Sequence, residues 1–112
     1  MHNEQLKSIS FELASEIIDI CEVLDNKGKK VIANQLLKAG TSIGANIRES
    51  IYAESKNDFI HKISIARKEA SECSYWLELI LKKNIMSISD KVFDLLDHIQ
   101  RIITILLKSS RS

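Results

Sequence analysis

The residues of this 112-residue chain best suited to metal or acid–base chemistry are three histidines and two cysteines. Asp58 and His61 stand three apart, and Asp94 and His98 four apart, so each pair shares one face if its segment is helical. A carboxylate-bridged dimetal centre, the common chemistry of four-helix bundles, needs acidic ligands on several helices and a Glu-x-x-His pair on two of them. No Glu-x-x-His occurs, and the other acidic residues do not repeat the pattern. The paired-cysteine spacing of zinc and redox sites and the His-Glu-x-x-His of zinc proteases are missing, and a serine elbow of the hydrolase kind is not expected. A phosphate loop would follow a strand, and no convincing strand is present. The expectation is therefore no catalytic residue, no metal and no cofactor: a protein that is not an enzyme.

Elements must still position whatever the chain does present, and its composition favours helices. Hydrophobic residues make up 45% of the sequence, enough for a core and too much for a disordered chain. With three glycines and no proline it lacks the turn residues of a sandwich or barrel. The length is that of one domain. No apolar run approaches a membrane span, and Met1 to Glu16 show no apolar run after a basic start, so neither membrane attachment nor a signal peptide is expected. Cys21 and Cys73 read as reduced residues in or near the core of a cytoplasmic protein.

Periodicity predicts four helices, at about 5–24, 29–50, 55–83 and 88–108. In the first, Leu6, Ile9, Leu13, Ile17, Ile20 and Leu24 recur at steps of three and four, while Phe11, Ile18 and Cys21 add apolar surface beyond one stripe. Asp25-Asn26-Lys27-Gly28 makes a joint. The second carries Val31 or Ile32, then Leu36, Ala39, Ile43 and Ile47. Its centre is a run of small residues, and two helical glycines each cost about 1 kcal/mol relative to alanine. Gly40, Gly44 and Ala45 are therefore expected in close contact with another helix. The third helix starts from Ser55 and Asp58, which resemble a capping box, and buries Phe59, Ile63, Ala66, Ala70, Cys73, Leu77 and Ile80. At about 43 Å it should exceed the first, at about 30 Å, and the excess should project, bend or pack against a partner. The fourth follows a cap at Ser87 or Ser89 and buries Val92, Leu95 or Leu96, Ile99, Ile102 or Ile103, and Leu106. Short joints make the fold all-α, an antiparallel up-down-up-down four-helix bundle.

Charge is unevenly placed. Residues 1–26 set Lys7 against Glu4, Glu12, Glu16, Asp19, Glu22 and Asp25, while residues 27–50 set Lys27, Lys29, Lys30, Lys38 and Arg48 against Glu49 alone. Opposite signs on neighbouring helices attract, within one chain or between copies. The five cations are also the candidate contacts to nucleic acid, which would act as a partner through a basic surface.

Gly40-Thr41-Ser42-Ile43-Gly44-Ala45-Asn46-Ile47-Arg48-Glu49, then Ala53-Glu54-Ser55-Lys56-Asn57-Asp58-Phe59-Ile60, Ile65-Ala66, Lys68-Glu69-Ala70 and Tyr75-Trp76-Leu77-Glu78-Leu79, resemble the S23 ribosomal or 23S rRNA intervening-sequence proteins of bacteria. Asn46 and Glu49 match that family's Asn-Ile-x-Glu motif; Ser55 with Asp58 and Phe59 match its Ser-x-x-Asp/Glu-Phe motif. Ser50 departs, where many relatives carry glycine. The resemblance implies a four-helix bundle that assembles as a homopentamer. A related accessory protein of diversity-generating retroelements, with a similar barrel, works with nucleic acid and a reverse transcriptase. Read as residues, Asn46, Glu49, Ser55 and Asp58 form a polar corner, with Asn46 and Glu49 expected to bond to Ser55, Asn57 or a backbone group and so fix the second helix against the third.

Overall fold

A computed structural model describes residues 2–111. Helix α1 spans His2–Asn26, α2 Lys30–Ile51, α3 Lys56–Lys82 and α4 Asp90–Arg111. Each packs on two neighbours, α1 on α2 and α4, and α3 on α2 and α4, so the chain runs up, down, up and down around one core. The fold is the all-α antiparallel bundle that the periodicity predicts, 45 Å long and 22 by 19 Å across.

The apolar stripes become the core. Leu6, Leu13, Ile17 and Leu24 of α1, Leu36, Ile43 and Ile47 of α2, Ile63, Leu77 and Ile80 of α3, and Ile99 and Ile103 of α4 are fully buried. Where spacing left two registers open, the structure decides. On α2 the inward residues are Ile32 and Ala33, and Val31 is 75% exposed. On α4, Leu96 and both Ile102 and Ile103 are buried, and Leu107 takes the place expected for Leu106.

Helix α1 starts three residues before the expected boundary, because its first turn is polar and carries no apolar signal. The correction matters for length. At 27 residues α3 exceeds α1, at 25, by two, so the expected excess of about 13 Å shrinks to about 3 Å.

Two joints close in the same way. Gly28 takes φ +78°, Lys29 N donates to Leu24 O at 2.9 Å, and Gly28 N donates to Asp25 O at 3.0 Å. Asn84 takes φ 53°, Ile85 N donates to Ile80 O at 3.0 Å, and Asn84 N donates to Leu81 O at 3.1 Å. Both are left-handed terminations that satisfy the last carbonyls of a helix, α1 through glycine and α3 through asparagine. Helix α4 is opened by Ser89, whose Oγ accepts from Lys91 N at 3.2 Å.

Candidate functional site

At the α2–α3 joint, Ser55 caps α3: its Oγ accepts from Asp58 N at 3.0 Å, and Asp58 Oδ2 accepts from Glu54 N at 3.2 Å. Glu49 reaches across to α3, where Lys62 Nζ donates to Oε1 at 2.9 Å. That hydrogen bond, then the Glu49 charge, pulls the Lys62 ammonium above its ordinary pKa, with Asp58 adding in the same direction. Asn46 stands apart, donating from Nδ2 to Ser42 O one turn back on its own helix at 2.9 Å. The expected corner therefore divides into a cap (Ser55, Asp58), an interhelix bridge (Glu49 to Lys62) and a local bond (Asn46). Asn46 is turned toward its own helix by a near carbonyl, which is why it does not join the other three. Arg48, Glu49, Tyr52, Glu54, Asp58 and Lys62 line an open groove of about 420 Å³.

The small residues of α2 do not act alike. A Cβ on Gly40 would stand 2.8 Å from Ile17 Cγ2 and 2.9 Å from Cγ1, so this glycine is where α1 and α2 meet most tightly. Gly44 is half-buried, and a Cβ there would meet Ser10 at 3.5 Å, an ordinary contact. Ala45 is exposed. Close packing within the chain thus holds at Gly40, is loose at Gly44 and fails at Ala45, because one residue rotates the helix by about 100° and turns Ala45 away from α1.

The five candidate cations do not form one patch. Lys27, Lys29 and Lys30 sit at the α1–α2 joint, where Lys30 is 3.9 Å from Asp25. Lys38 lies midway along α2 in a cleft of about 240 Å³ with Lys68, Glu69 and Glu72. Burial and then Glu72 push the Glu69 carboxyl above its ordinary pKa, while Lys68 and Lys38 oppose that rise. Arg48 is near the far end of α2, its guanidinium 5.4 Å from the centre of the Phe11 ring. Eighteen positions apart in sequence, Lys30 and Arg48 are about 27 Å apart along the helix.

Sequence reasoning passed over one string. Gly40-Thr41-Ser42-Ile43-Gly44 spells the Gly-x-Ser-x-Gly of the hydrolase elbow. An elbow is a sharp strand-to-helix turn, and here the five residues lie inside unbroken α2, with the Ser42 carbonyl accepting from Asn46. His98 shares a 3.3 Å contact with the Gln5 amide, and His61 is exposed on α3. Among the described residues no three of His, Cys, Asp or Glu gather as a metal site would require. Cys21 donates from Sγ to Ala33 O at 3.3 Å, and burial pushes its thiol up to about 11 and that of Cys73 up to about 12.

What the surface does present is apolar. Phe11, 65% exposed, and Ile18 stand out from α1, and Leu37 from α2. Below Phe11 lies a groove of about 210 Å³ lined by Ala14, Thr41, Gly44 and Ala45, with Lys7 and Arg48 as its charged residues. On α4 the exposed large apolar residue is Ile105. The attraction expected between acidic α1 and basic α2 is scarcely satisfied within the chain. Lys30 with Asp25 is the α1–α2 salt bridge, while Glu12 and Glu16 pair with Lys91 ahead of it on α4. Among the described residues Glu4, Asp19, Glu22, Lys27 and Lys29 join no salt bridge. Among the described residues no helix is long and apolar enough to cross a membrane.

Residues 3–108 match the family described as 23S rRNA-intervening sequence protein. A crystal structure of a protein with unknown function from the S23 ribosomal protein family of Bacteroides thetaiotaomicron is similar in both sequence and fold. It is 37% identical, with a TM-score of 0.89 over 96% of this chain and 99% of the other. No curated protein matches the chain.

Proposed function

We propose, from the premise that this chain belongs to the 23S rRNA-intervening sequence protein family, that it is a noncatalytic module which works by assembling with copies of itself. The observation that carries this reading is the surface of α1 and α2. Phe11, Ile18 and Leu37 stand exposed, and among the described residues Glu4, Lys7, Asp19 and Glu22 of α1 and Lys38 of α2 join no salt bridge. Contiguous exposed apolar surface rimmed by charge is characteristic of a protein interface. The subunit number is five, as the family resemblance implies, and the compartment is the cytoplasm. Sedimentation velocity over a tenfold concentration range tests the reading: a species several times the 12.7 kDa chain supports it, and a monomer throughout refutes it.

A nucleic-acid role has one observation behind it. The topology brings Lys82 and Lys83, at the end of α3, to the same end of the bundle as Lys27, Lys29 and Lys30. Titration with RNA and with DNA at two salt concentrations separates the readings. Binding that survives competitor at the higher salt supports an accessory role with nucleic acid, and binding that fades with salt is attraction to lysines alone.

A further inference from the structure

We propose that the outer face of α3 binds single-stranded nucleic acid, one base lying on Tyr75 and the phosphates beside it on Lys82 and Lys83; this rests on the nucleic-acid reading above and names its surface and its class of strand. Among the described residues three aromatic rings stand largely exposed, those of Phe11, Tyr52 and Tyr75. Phe11 already has the Arg48 guanidinium over it, and Tyr52 lies in a groove where Glu49, Glu54 and Asp58 outnumber the cations Arg48 and Lys62. Tyr75 is placed differently. It is 57% exposed and lines an open cleft of about 340 Å³ with Glu78, Leu79 and Lys82. Behind it Trp76, which packs on the core, meets the Tyr75 ring edge to face at 5.1 Å.

A tyrosine braced by a core residue and open to solvent is a stacking platform, and every base has a face to lay on it. The cleft also leads to charge. Lys82 lines it, Lys83 follows, and the topology sets Lys27, Lys29 and Lys30 at the same end of the bundle. Of these lysines Lys30 alone joins a salt bridge among the described residues. A strand with one base on Tyr75 therefore meets unpaired cations as it runs toward that end, and each phosphate neutralised releases a counterion. In a duplex the bases are already stacked on one another, so the platform selects single strands, and it does so without reading sequence. Glu78 is the one acid of the cleft and opposes a phosphate there, which gives the surface a substitution of opposite sign.

Fluorescence anisotropy tests this with a labelled oligonucleotide of mixed sequence, offered as a single strand of RNA or DNA and as a duplex. The single strands should bind alike and more tightly than the duplex. Tyr75→Ala should weaken single-strand binding about tenfold, and Tyr75→Phe should leave it near the wild-type value. Lys82→Gln should weaken binding and reduce its salt slope by about 0.7, whereas Glu78→Gln should strengthen it. Tyr75 is exposed, so circular dichroism should show its variants helical. The wild-type protein supplies a second readout, because Trp76 is the only tryptophan of the chain and its emission should change as strand is added. Full affinity in Tyr75→Ala with unchanged Trp76 emission, or a preference for duplex, overturns the platform while leaving the nucleic-acid reading standing. Absence of binding to every form at low salt overturns both.

Discussion

At Gly40 an added methyl group would press on the branch point of Ile17, a side chain fully buried in the core. Four residues on, at Gly44, it would only touch Ser10. Both substitutions to alanine improve helix propensity by about 1 kcal/mol, but overpacking a tight core contact costs about 1–3 kcal/mol. Gly40→Ala should therefore lower stability by about 1 kcal/mol, and Gly44→Ala should raise it by about 0.5–1 kcal/mol. Urea denaturation of the pair checks this: equal shifts of one sign would contradict the packing described. The thiols make a second prediction. Burial pushes Cys21 up to about 11 and Cys73 up to about 12, so both are protonated and shielded at neutral pH. A disulfide reagent at pH 8 should label neither in the native protein and both in urea. With unfolded thiols ionising at about 8.5, the unfolded state binds fewer protons than the native state above that pH, so stability falls as pH rises from there through the folded values. Lys62 and Lys91, whose ammonium groups are raised by Glu49 and Glu12, add to the same alkaline decline. A melting temperature that holds level from pH 8 to pH 11 would contradict this.

Among the elements, α3 has the best-defined start. Ser55 accepts from Asp58 N in its first turn and Asp58 accepts from Glu54 N just ahead of it, and Ser55→Ala should lower stability by about 1 kcal/mol. Asn46→Ala, which removes only a bond to the helix's own Ser42 carbonyl, should cost much less. Comparable losses in the two variants, read from thermal melts, would restore the single polar network that the structure divides. The cap was legible because Ser, Asp and a following apolar run lie close in sequence and each signal is local. The apolar stripes were legible for a related reason: helical period converts spacing directly into a face. Other features depended on rotation and reach, which spacing gives only coarsely. Ala45 follows Gly44 in the chain and leaves the contact because of one step around the helix. Glu49 finds Lys62, thirteen residues on, through a tertiary contact that no local pattern announces. Helix α1 begins at His2 with polar residues, so its length, and with it the comparison with α3, stayed hidden from periodicity.

At the scale of the whole molecule, the core explains the inward faces of all four helices and leaves the outward faces of α1 and α2 unexplained. Exposed Phe11 and Ile18, exposed Ala45 and the unpaired charges of α1 and the first joint all concern that surface. The loss of α3's expected excess length removes one argument for partners, and the remaining ones now come from named side chains. Association of this kind joins an apolar centre to charges at its ends, so it should weaken in salt by less than a purely ionic contact would. The central claim is self-assembly, and light scattering coupled to gel filtration tests it most directly, with protein loaded over a tenfold range of concentration. The account predicts a mass close to five times the 12.7 kDa chain at every loading. A single 12.7 kDa peak throughout would contradict self-assembly, and a stable two-chain mass would contradict the number five.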